Sequence, residues 1–424
     1  MKKLISVILF ISLIASCALS MLSCSKEGGA EGPVAYILAE KGNAYSLGLA
    51  ESIKFAFEGK GGVATMETFP SGTEDFSEFY TKASELEADV IFLPNSMEYA
   101  EKLLKDADGM EVSVPIIAGD TWETPAVLEA VKDTDLTVYF TSLFDESVAK
   151  KTSTGDEFIA AFKKFLSENS EYYEMNGASD TVASVSVMGF DAYNVTIAAI
   201  RKAAERKGVA MTSTDVAVAL WETEHKGISG DIVFDENKDA VRGCAYIEMV
   251  TDKGFELVSE QNVESDAARG KAPEYDVGGV LIDTENKRIN VGVYEPTTGP
   301  DAAGGKQELL GVIYAHSLDK TVVIGGEEYE VVLCQSDNGS NPTYAQATAT
   351  KLVENRCIAV IGSYGSTVSI AATEVFEGAM IPVVGASCTN ADVTFGNKYY
   401  FRIAVTDTLL GAAMAEYALS MIKE

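Results

Sequence analysis

The sequence predicts an α/β protein with two lobes, each a parallel sheet flanked by helices, and a hinge between them. Two series of short apolar strands alternate with amphipathic helices, and a mostly helical middle separates the two series. This βαβα alternation is typical of parallel sheets, because parallel strands need a crossover connection that is usually a helix. The 424 residues, of which 47% are hydrophobic, suffice for two domains with sizeable cores.

The first series contains five predicted strands and four predicted helices. Each strand is a short apolar run, and each helix has apolar residues at a spacing near 3.6. The strands are VAYIL (from Val34), VATMETF (from Val63), DVIFLP (from Asp89), PIIAGD (from Pro115) and TVYFTSLF (from Thr137). The helices are expected near Leu47–Phe57, Asp75–Leu86, Met97–Lys105 and Glu123–Val131.

The middle of the chain is mostly helical and leads into a turn-rich stretch. From Asp156 to about Arg206, the segments FIAAFKKFL and AYNVTIAAIRKAAERKG have helical spacing. In GDIVFDENKDAVRGCAYIEMV, turn residues separate two strand-like runs, which predicts a hairpin. Polar and small residues from Glu260 to Lys287 are typical of a linker.

The second series begins after this linker and has the same rhythm. Its strands are INVGVYEP (from Ile289), YEVVLCQSD (from Tyr329), CIAVIGS (from Cys357), IPVVGAS (from Ile381) and YYFRIAV (from Tyr399). Paired α/β lobes bind ligands in the cleft at the carboxyl ends of their strands. We therefore expect the functional site at the strand ends.

The first residues resemble a bacterial lipoprotein signal. Lys2 and Lys3 precede the apolar stretch LISVILFISLIAS, which is short for a membrane span, and a serine precedes each of two cysteines. Cys24 is favoured as the lipidated residue because a polar, Gly-rich tether follows it, and Cys17 is the alternative. An ordinary cleaved signal peptide is also open. The lipoprotein signal predicts an extracytoplasmic protein anchored to the bacterial cell membrane, in the periplasm or on the outer face.

Charge and cysteine spacing disfavour several classes of partner and site. The 33 basic and 64 acidic residues give a net charge of -31, which disfavours nucleic acid and anionic membrane surfaces as partners. The remaining cysteines form no CxxC pair, so neither a zinc site nor a dithiol redox motif is indicated, and a disulfide among them stays open. These cysteines are Cys244, Cys334, Cys357 and Cys388. We predict no metal and no cofactor.

The sequence lacks the motifs of the common enzyme classes. It contains no Walker loop, no HExxH and no GxGxxG after a strand, and AVIGSYGSTVS lacks the G-x-S-x-G of a nucleophile elbow. His225 lies in the polar stretch TEHKG, and His316 lies in a helix that should cover a sheet, so neither suits a general base. We predict that the protein is not an enzyme, with an amide hydrolase as the enzymatic alternative.

Several longer segments resemble one family of proteins. The first three are INVGVYEPTTGPDAAGGKQELLG, KLVENRCIAVIGSYGSTVSIAATEVFEGAMIPVVGASCTNADVT and YYFRIAVTDTLLGAAMAEYAL. The next are VAYILAEKGNAYSLGLAESIKFAF, ADVIFLPNSMEYAEKLLKDA, PIIAGDTWETPAVLEA and VYFTSLF, and the last are MGFDAYNVTIAAI and GISGDIVFDENKDAV. In that order they are similar to the first lobe, second lobe and C-terminal part of the periplasmic type-I solute-binding proteins of branched-chain amino-acid (leucine/isoleucine/valine-binding) ABC transporters. The resemblance covers nearly everything from Val34 onward except the linker.

The segments stand in a different order from that of the family. The family runs from INVGVYEP through the YYFRIAV helix to VAYILAEKGNAYS, whereas VAYIL comes first in this chain. The resemblance therefore implies a circular permutant in which residues 260–287 join the usual ends, an arrangement that is feasible where termini lie close together. A fragment of a tandem array and a domain-swapped assembly are the alternatives.

The permuted order assigns each segment to a lobe. We predict a lipoprotein signal peptide (1–24), a tether (25–32), lobe 2 (33–143 with 407–424), the helical part of lobe 1 (144–228), a C-terminal hairpin and hinge (229–259), a linker (260–287) and the sheet part of lobe 1 (288–406). The helix that reaches Glu424 should then pack beside the strand at Val34, in the same lobe.

The candidate ligand site on lobe 1 follows two strands. GSYGST and GASCT place hydroxyl groups at strand tips and backbone N–H groups at helix starts. A free α-amino acid needs donors for its carboxylate and an acidic acceptor for its ammonium group. The resemblance implies that Ser366, Ser387 and Thr389 bind these two groups.

Lobe 2 supplies the acidic acceptor. Asp120 in IIAGDTW stands at a strand end, and the resemblance implies that it pairs with the ligand ammonium group while Tyr45 lines the cleft. Ser366 and Asp120 would also suit helix N-caps, but their position at strand ends of both lobes favours binding. Further pocket candidates are Tyr364, Asn95, Ser96 and Trp122. A tyrosine of the branched-chain binders is replaced here by Gly304, which leaves the side-chain specificity open.

The resemblance implies a lipid-anchored extracytoplasmic substrate-binding protein. It would capture an α-amino acid, of branched-chain type or similar, between its lobes and deliver it to an ABC permease in the membrane. A ligand-sensing receptor module that signals to a partner protein is the alternative, because both kinds of protein use hinge closure around a ligand.

Overall fold

The computed structural model describes residues 32–262 and 268–423. The predicted signal peptide, Cys17, Cys24 and most of the tether lie outside the described residues. Within the described ranges, no helix is long and apolar enough to span a membrane. The lobes described below belong to one unit, Pro33–Glu424.

The described residues contain strands of three to eleven residues. They are β1 (Val34–Glu40), β2 (Val63–Phe69), β3 (Val90–Leu93), β4 (Ile116–Ala118), β5 (Val138–Ser142), β6 (His225–Gly227), β7 (Gly230–Ile232), β8 (Cys244–Thr251), β9 (Gly254–Asn262), β10 (Arg288–Glu295), β11 (Thr321–Ile324), β12 (Glu327–Asp337), β13 (Ala359–Ile361), β14 (Val383–Gly385) and β15 (Tyr400–Arg402).

The α-helices follow the strands in the predicted alternation. They are α1 (Ala44–Gly59), α2 (Ser77–Glu85), α3 (Ala100–Gly109), α4 (Pro125–Val131), α5 (Glu146–Ala149), α6 (Ser153–Ser167), α7 (Ser170–Met175), α8 (Ser184–Lys207), α9 (Ser213–Trp221), α10 (Ala302–Leu318), α11 (Pro342–Glu354), α12 (Ser366–Gly378) and α13 (Asp407–Lys423).

The sheet of lobe 2 has the strand order β2-β1-β3-β4-β5-β8-β9. The strands from β2 to β5 pair in parallel, and β8 and β9 extend the sheet antiparallel at one edge. Every residue of β3 and β4 is buried, as expected for a parallel sheet with both faces covered. The carboxyl ends of β1, β3 and β4 therefore meet at one edge of the sheet.

The sheet of lobe 1 has the strand order β11-β12-β10-β13-β14-β15. Its strands pair in parallel except for β11, which pairs antiparallel with β12. The carboxyl ends of β10, β12, β13 and β14 form the edge from which α10, α11 and α12 begin.

Between Val34 and Lys423 the chain passes between the lobes four times. The segments 143–145, 233–243 and 403–406 each connect an element of one lobe to an element of the other, and the fourth passage leads from β9 of lobe 2 to residues 268–287 and β10 of lobe 1. The predicted α/β class with two lobes, each a parallel-rich sheet flanked by helices, is confirmed.

The last helix, α13, packs against α1 in lobe 2. The approach is close, because a Cβ atom on Gly411 would lie 2.7 Å from the Ile53 backbone nitrogen. Tyr417 also contacts Tyr139 of β5, with ring centroids 5.2 Å apart. This helix therefore lies in the lobe of the strand at Val34, as a permuted order requires, while the permutation itself stays a prediction.

The hairpin in the segment 229–259 differs from the predicted pairing. β7 pairs with β6, and β8 pairs with β5 and β9. The β8–β9 turn is closed by Gly254, whose φ of 124° favours glycine. Because β9 extends to Asn262, the predicted linker begins inside a strand. Sequence missed this pairing because β6 is only three residues long.

The rest of the predicted linker packs on lobe 1. Tyr275 Oη accepts a hydrogen bond from Trp221 Nε1 (2.9 Å) and donates one to the Lys398 carbonyl oxygen (2.8 Å). A Cβ atom on Gly270 would lie 2.4 Å from the Trp221 ring. Residues 268–287 are therefore held in place, although they contain neither a helix nor a named strand.

Candidate functional site

A cavity of about 230 Å³ lies between the lobes, at the carboxyl ends of the parallel strands. It is smaller than the pockets that enclose drug-sized ligands, which have volumes of about 300–1,000 Å³. From lobe 2 it is lined by Glu40, Lys41, Gly42, Asn43, Tyr45, Ser71, Ser96, Glu98, Asp120 and Thr121. From lobe 1 it is lined by Pro300, Asp301, Ser340, Pro342, Tyr364, Gly365, Ser366, Thr367, Val368 and Ser387.

Asp120 and Tyr45 form a hydrogen-bonded pair on the lobe 2 wall. Asp120 directly follows β4 and Gly119, while Tyr45 lies in the first turn of α1. The Tyr45 hydroxyl donates to Asp120 Oδ1 at 2.9 Å. Burial raises the pKa of Asp120 to about 6, although the hydrogen bond from Tyr45 acts in the opposite direction. The Tyr45 oxygen therefore presents only lone pairs to the cavity.

Ser366 and Thr367 begin α12 on the lobe 1 wall. Gly365 occupies the N-cap position, so Ser366 is not the N-cap of its helix. Ser366 Oγ accepts from the Asn390 backbone nitrogen (3.3 Å), and Thr367 Oγ1 accepts from the Ala44 backbone nitrogen (3.0 Å). Among the described residues neither hydroxyl donates a hydrogen bond, so both O–H groups are available to a ligand.

The Thr367 bond also joins the two lobes. Ala44 lies at the start of α1 in lobe 2, and its carbonyl oxygen accepts from Asn390 Nδ2 of lobe 1 at 2.6 Å. Sequence reasoning missed both Thr367 and Asn390, although each directly follows a residue that it did select.

Ser387 is held by a buried carboxyl pair behind the lobe 1 wall. Its hydroxyl donates to Glu308 Oε2, and the neighbouring Glu295 Oε2 accepts from the Tyr364 backbone nitrogen at 2.8 Å. Burial raises the pKa of both glutamates, and the carboxyl group of Glu308 raises that of Glu295 further. The pair holds the Ser387 hydroxyl turned away from the cavity, so its oxygen can only accept from a ligand. No sequence signal pointed to these glutamates, because each lies inside an apolar element.

Tyr364 lines the cavity beside Gly304. Its side chain is only 8% exposed, yet its hydroxyl has no hydrogen-bond partner among the described residues. A Cβ atom on Gly304 would lie 2.3 Å from the Tyr364 ring. Gly304, where the sequence lacks the family's tyrosine, therefore leaves the space that the Tyr364 ring occupies.

Among the described residues, four acidic side chains line the cavity together with a single lysine, Lys41, whose side chain is exposed. Besides Asp120, the acidic residues are Glu40, Glu98 and Asp301. Burial and the charges of Glu98 and Glu40 raise the pKa of Asp301 to about 7. Burial also raises the pKa of Glu98, and the Glu40 charge adds to that shift.

Three of the predicted site residues lie behind the cavity wall. Asn95 Oδ1 accepts from the Glu40 backbone nitrogen at 3.0 Å, and its backbone oxygen accepts from Trp122 Nε1 at 3.0 Å. The side chains of Asn95 and Trp122 therefore join the ends of β1, β3 and β4 and do not line the cavity. Thr389 is buried beside the Asp407 carboxyl group. Ser96 does line the cavity, and its hydroxyl accepts from Asn43 Nδ2 at 2.9 Å.

The structure therefore brings together six of the nine predicted site residues. They are Tyr45, Ser96, Asp120, Tyr364, Ser366 and Ser387. Their role in binding stays a prediction. No group of three or more metal-ligating side chains occurs within residues 32–262 and 268–423.

Comparison with known proteins matches mainly the sheet part of lobe 1. Residues 288–423 match the model of a family described as periplasmic binding protein. An amino acid binding protein of Pseudomonas aeruginosa is 32% identical over 138 residues, which cover 32% of this chain and 36% of that protein. The leucine-, isoleucine-, valine-, threonine- and alanine-binding protein of the same organism is 26% identical over 138 residues, with the same coverage.

A leucine binding protein, LivK, from Thermotoga maritima is similar in structure, with 22% identity and a TM-score of 0.46. The similarity covers 54% of this chain and 60% of that one. The match to the curated relatives spans about a third of their length, 36% for both. The sequence resemblance is thus confirmed for the segment from β10 to α13.

Proposed function

From the match of residues 288–423 to the periplasmic binding protein model, we propose that the chain is an extracytoplasmic substrate-binding protein of an ABC transporter. It binds an α-amino acid in the cavity between its lobes and does not catalyse a reaction. The names of the two Pseudomonas relatives support the class of ligand. The polar groups of the cavity support it independently.

One observation carries this proposal: the cavity has free hydrogen-bond donors at the start of α12 on the lobe 1 wall, and on each lobe a hydroxyl oxygen that can only accept. The donors are the free O–H groups of Ser366 and Thr367, in the first turn of α12. The first turn of a helix also offers unpaired backbone N–H groups and the positive end of the helix dipole. This wall suits a carboxylate.

The acceptors are two hydroxyl oxygens whose O–H groups already donate hydrogen bonds within the protein. Tyr45 donates to Asp120, and Ser387 donates to Glu308, so both hydroxyl oxygens can only accept from a ligand. Asp120 adds a negative charge beside the Tyr45 oxygen when it is ionised. This combination suits an ammonium group, and a free α-amino acid carries both an ammonium group and a carboxylate.

The proposal includes the order of binding and the partners. The ligand binds first to lobe 1, and closure of the lobes then brings Asp120 and Tyr45 to its ammonium group. An ABC permease receives the ligand, and a lipid on Cys24, or on Cys17, holds the protein at the outer side of the cell membrane.

Replacing Asp120 tests the proposal directly. Asp120→Ala should weaken amino-acid binding by more than about tenfold, because a buried ammonium group would lose its counter-charge. Isothermal titration calorimetry with purified protein measures the affinity, after a thermal-shift screen of the common amino acids has identified the ligand.

Asp108→Ala is the matched control. Asp108 lies exposed near the end of α3, outside the cavity, and its replacement should leave the affinity unchanged. Equal affinity for the Asp120→Ala protein, or the absence of a thermal shift with every amino acid, would contradict the proposed function.

A further inference from the structure

The cavity has more negative groups than an ordinary α-amino acid can neutralise. Asp120 with Tyr45 and Ser387 suffices for one ammonium group. Glu40, Glu98 and Asp301 line the same cavity and have no part in that arrangement. Glu40 and Glu98 line the cavity from lobe 2 and Asp301 lines it from lobe 1, and the charges of Glu98 and Glu40 add to the effect of burial in raising the pKa of Asp301 to about 7.

The three carboxyl groups have no cationic partner in the described part of the chain. None of them forms a salt bridge there, and the Lys102 side chain near Glu98 pairs instead with Glu74 at 2.7 Å. Glu40 accepts hydrogen bonds only from neutral groups, the Tyr99 hydroxyl (3.0 Å) and Asn43 Nδ2 (2.9 Å).

Asp301 is not used by the fold. It occupies the N-cap position of α10, but its side chain makes no capping hydrogen bond, although aspartate is among the preferred N-cap residues. Its Oδ2 atom instead lies 3.7 Å from the position of a Cβ atom on Gly365, which lines the cavity. The Asp301 carboxyl group is therefore available to a ligand.

Tyr364 is a second, independent sign of a ligand in this part of the cavity. It is more than nine-tenths buried, its hydroxyl has no partner among the described residues, and it lines the cavity. Burial raises the pKa of Tyr364, and the charges of Asp301 and Asp120, which line the same cavity, raise it further. An aromatic ring in this position suits the methylene stem and the charged end of a cationic side chain.

Resting on the proposed function, we infer that the ligand is an α-amino acid with a cationic side chain, such as lysine, ornithine or arginine. Asp120, Tyr45 and Ser387 bind the α-ammonium group, while Glu40, Glu98 and Asp301 bind the charge on the side chain. An apolar side chain would leave those three carboxyl groups desolvated and unpaired when the lobes close, which is unfavourable.

Lysine and norleucine test the inference, because their aliphatic chains match and only lysine carries the ε-ammonium group. Calorimetry should show lysine binding at least about tenfold more tightly than norleucine or leucine. Nε-acetyl-lysine should resemble norleucine. Lysine should also release protons on binding near neutral pH, because a cation lowers the pKa of Asp301, and titration in two buffers of different ionisation enthalpy measures that release.

Two variants test whether Asp301 and Glu98 cause the preference for lysine over norleucine. Asp301→Asn and Glu98→Gln should each reduce the lysine-to-norleucine affinity ratio by about threefold to tenfold. Glu101→Gln is the control, since Glu101 is exposed in the first turn of α3 and lies outside the cavity. Circular dichroism checks that each variant is folded.

The outcomes separate this inference from the function on which it rests. Norleucine or leucine binding as tightly as lysine would overturn the cationic ligand and leave the amino-acid-binding function standing. Failure of every amino acid to bind would overturn both. Because the comparison of lysine with norleucine uses the unaltered protein, it decides the matter even if a variant does not fold.

Discussion

At the scale of single residues, the direction of each hydrogen bond decides what the cavity can bind. A serine or tyrosine hydroxyl can donate or accept, so its presence at a cavity says little about the ligand. Ser387 and Tyr45 each have their proton directed to a carboxyl group, whereas Ser366 accepts from a backbone N–H. Similar hydroxyl groups therefore act as acceptors or as a donor, depending on where their own protons are directed.

A single glycine determines where the Tyr364 ring lies. Gly304→Ala would place a Cβ atom 2.3 Å from that ring, which forces the ring into the cavity. We expect this variant to lose about 1–3 kcal/mol of unfolding free energy and to bind its ligand more weakly. Urea denaturation followed by circular dichroism measures the first effect, and calorimetry measures the second.

Gly59→Ala is the matched control, since nothing lies within 4 Å of a Cβ atom at that helical position. Adding Tyr364→Ala to Gly304→Ala should relieve the overlap and recover part of the stability. An unchanged stability of Gly304→Ala would contradict the close packing described for this pair.

At the scale of elements, a carboxyl cluster joins the sheet of lobe 2 to a helix of lobe 1. Glu123, which follows β4, accepts from the Ser184 backbone nitrogen at the start of α8 (3.1 Å). The N-cap residue Ala183 has no side chain that could cap this helix. Glu248 of β8 lies near Glu123, and burial together with the charges of Glu123, Asp145 and Glu146 raises the pKa of Glu248 to about 9.

Because of this cluster, we expect the unfolding free energy of the protein to fall as pH rises. Unfolded Glu248 loses its proton near its ordinary pKa of 4.5, whereas the folded protein holds the proton up to about pH 9. In that window the native state binds more protons than the unfolded state, so the unfolding free energy falls with increasing pH. Glu248→Gln removes the ionisable group and should raise the melting temperature at about pH 8.5 while changing it little at about pH 5.

The expected gain at the higher pH is about 2 kcal/mol, measured as a melting temperature across the pH range. Glu256→Gln, on the exposed side of the paired strand β9, is the control and should leave the pH dependence unchanged. A Glu248→Gln protein with the same dependence on pH as the unaltered one would disprove this account.

At the scale of the whole molecule, the order of segments and their arrangement in space are separate matters. Lys60 of lobe 2, just after α1, forms an ion pair with Glu416 of α13 at 3.2 Å. The helix that comes last in the chain thus packs in the lobe that contains the first strand. Contacts within the lobes do not depend on which loop contains the chain termini, so the fold tolerates a change in the order of its segments.

Exchanging the two parts of the chain tests the permutation. A variant with residues 268–423 first, a flexible linker of about 12 residues, and then residues 33–262 should fold to the same structure. Such a linker spans about 19 Å on average, and changes in loop length cost little. We expect a monomer with a similar melting temperature and the same ligand preference.

Light scattering and the amino-acid thermal-shift screen check these expectations on both chains. If the original chain is a stable dimer whose lobes exchange α13, the swapped assembly is correct. If the exchanged chain fails to fold, the permuted order is wrong.

Local patterns sufficed to predict the strands, most helices and the position of the cleft. Asp120, Ser366 and Ser387 were selected because each follows a strand, where the ends of parallel strands share an edge, and because the family resemblance implies a role for each in binding. Asn95 and Trp122 satisfy the same criterion but face inward, since the turn that follows a strand directs neighbouring residues to opposite sides. The spacing of residues along the chain does not reveal which side faces the cavity.

The sequence by itself determined the α/β class, the two lobes and the edge that carries the site, because periodicity and turn residues act over a few neighbouring positions. Tertiary structure alone decided the chemistry of the cavity. Glu308 is 79 residues from Ser387, and Glu40, Glu98 and Asp301 come from three separate elements in two lobes. Hydrogen-bond direction, excess negative charge and the fit of Tyr364 to Gly304 depend on contacts between such distant residues, and these arise only when the chain is folded.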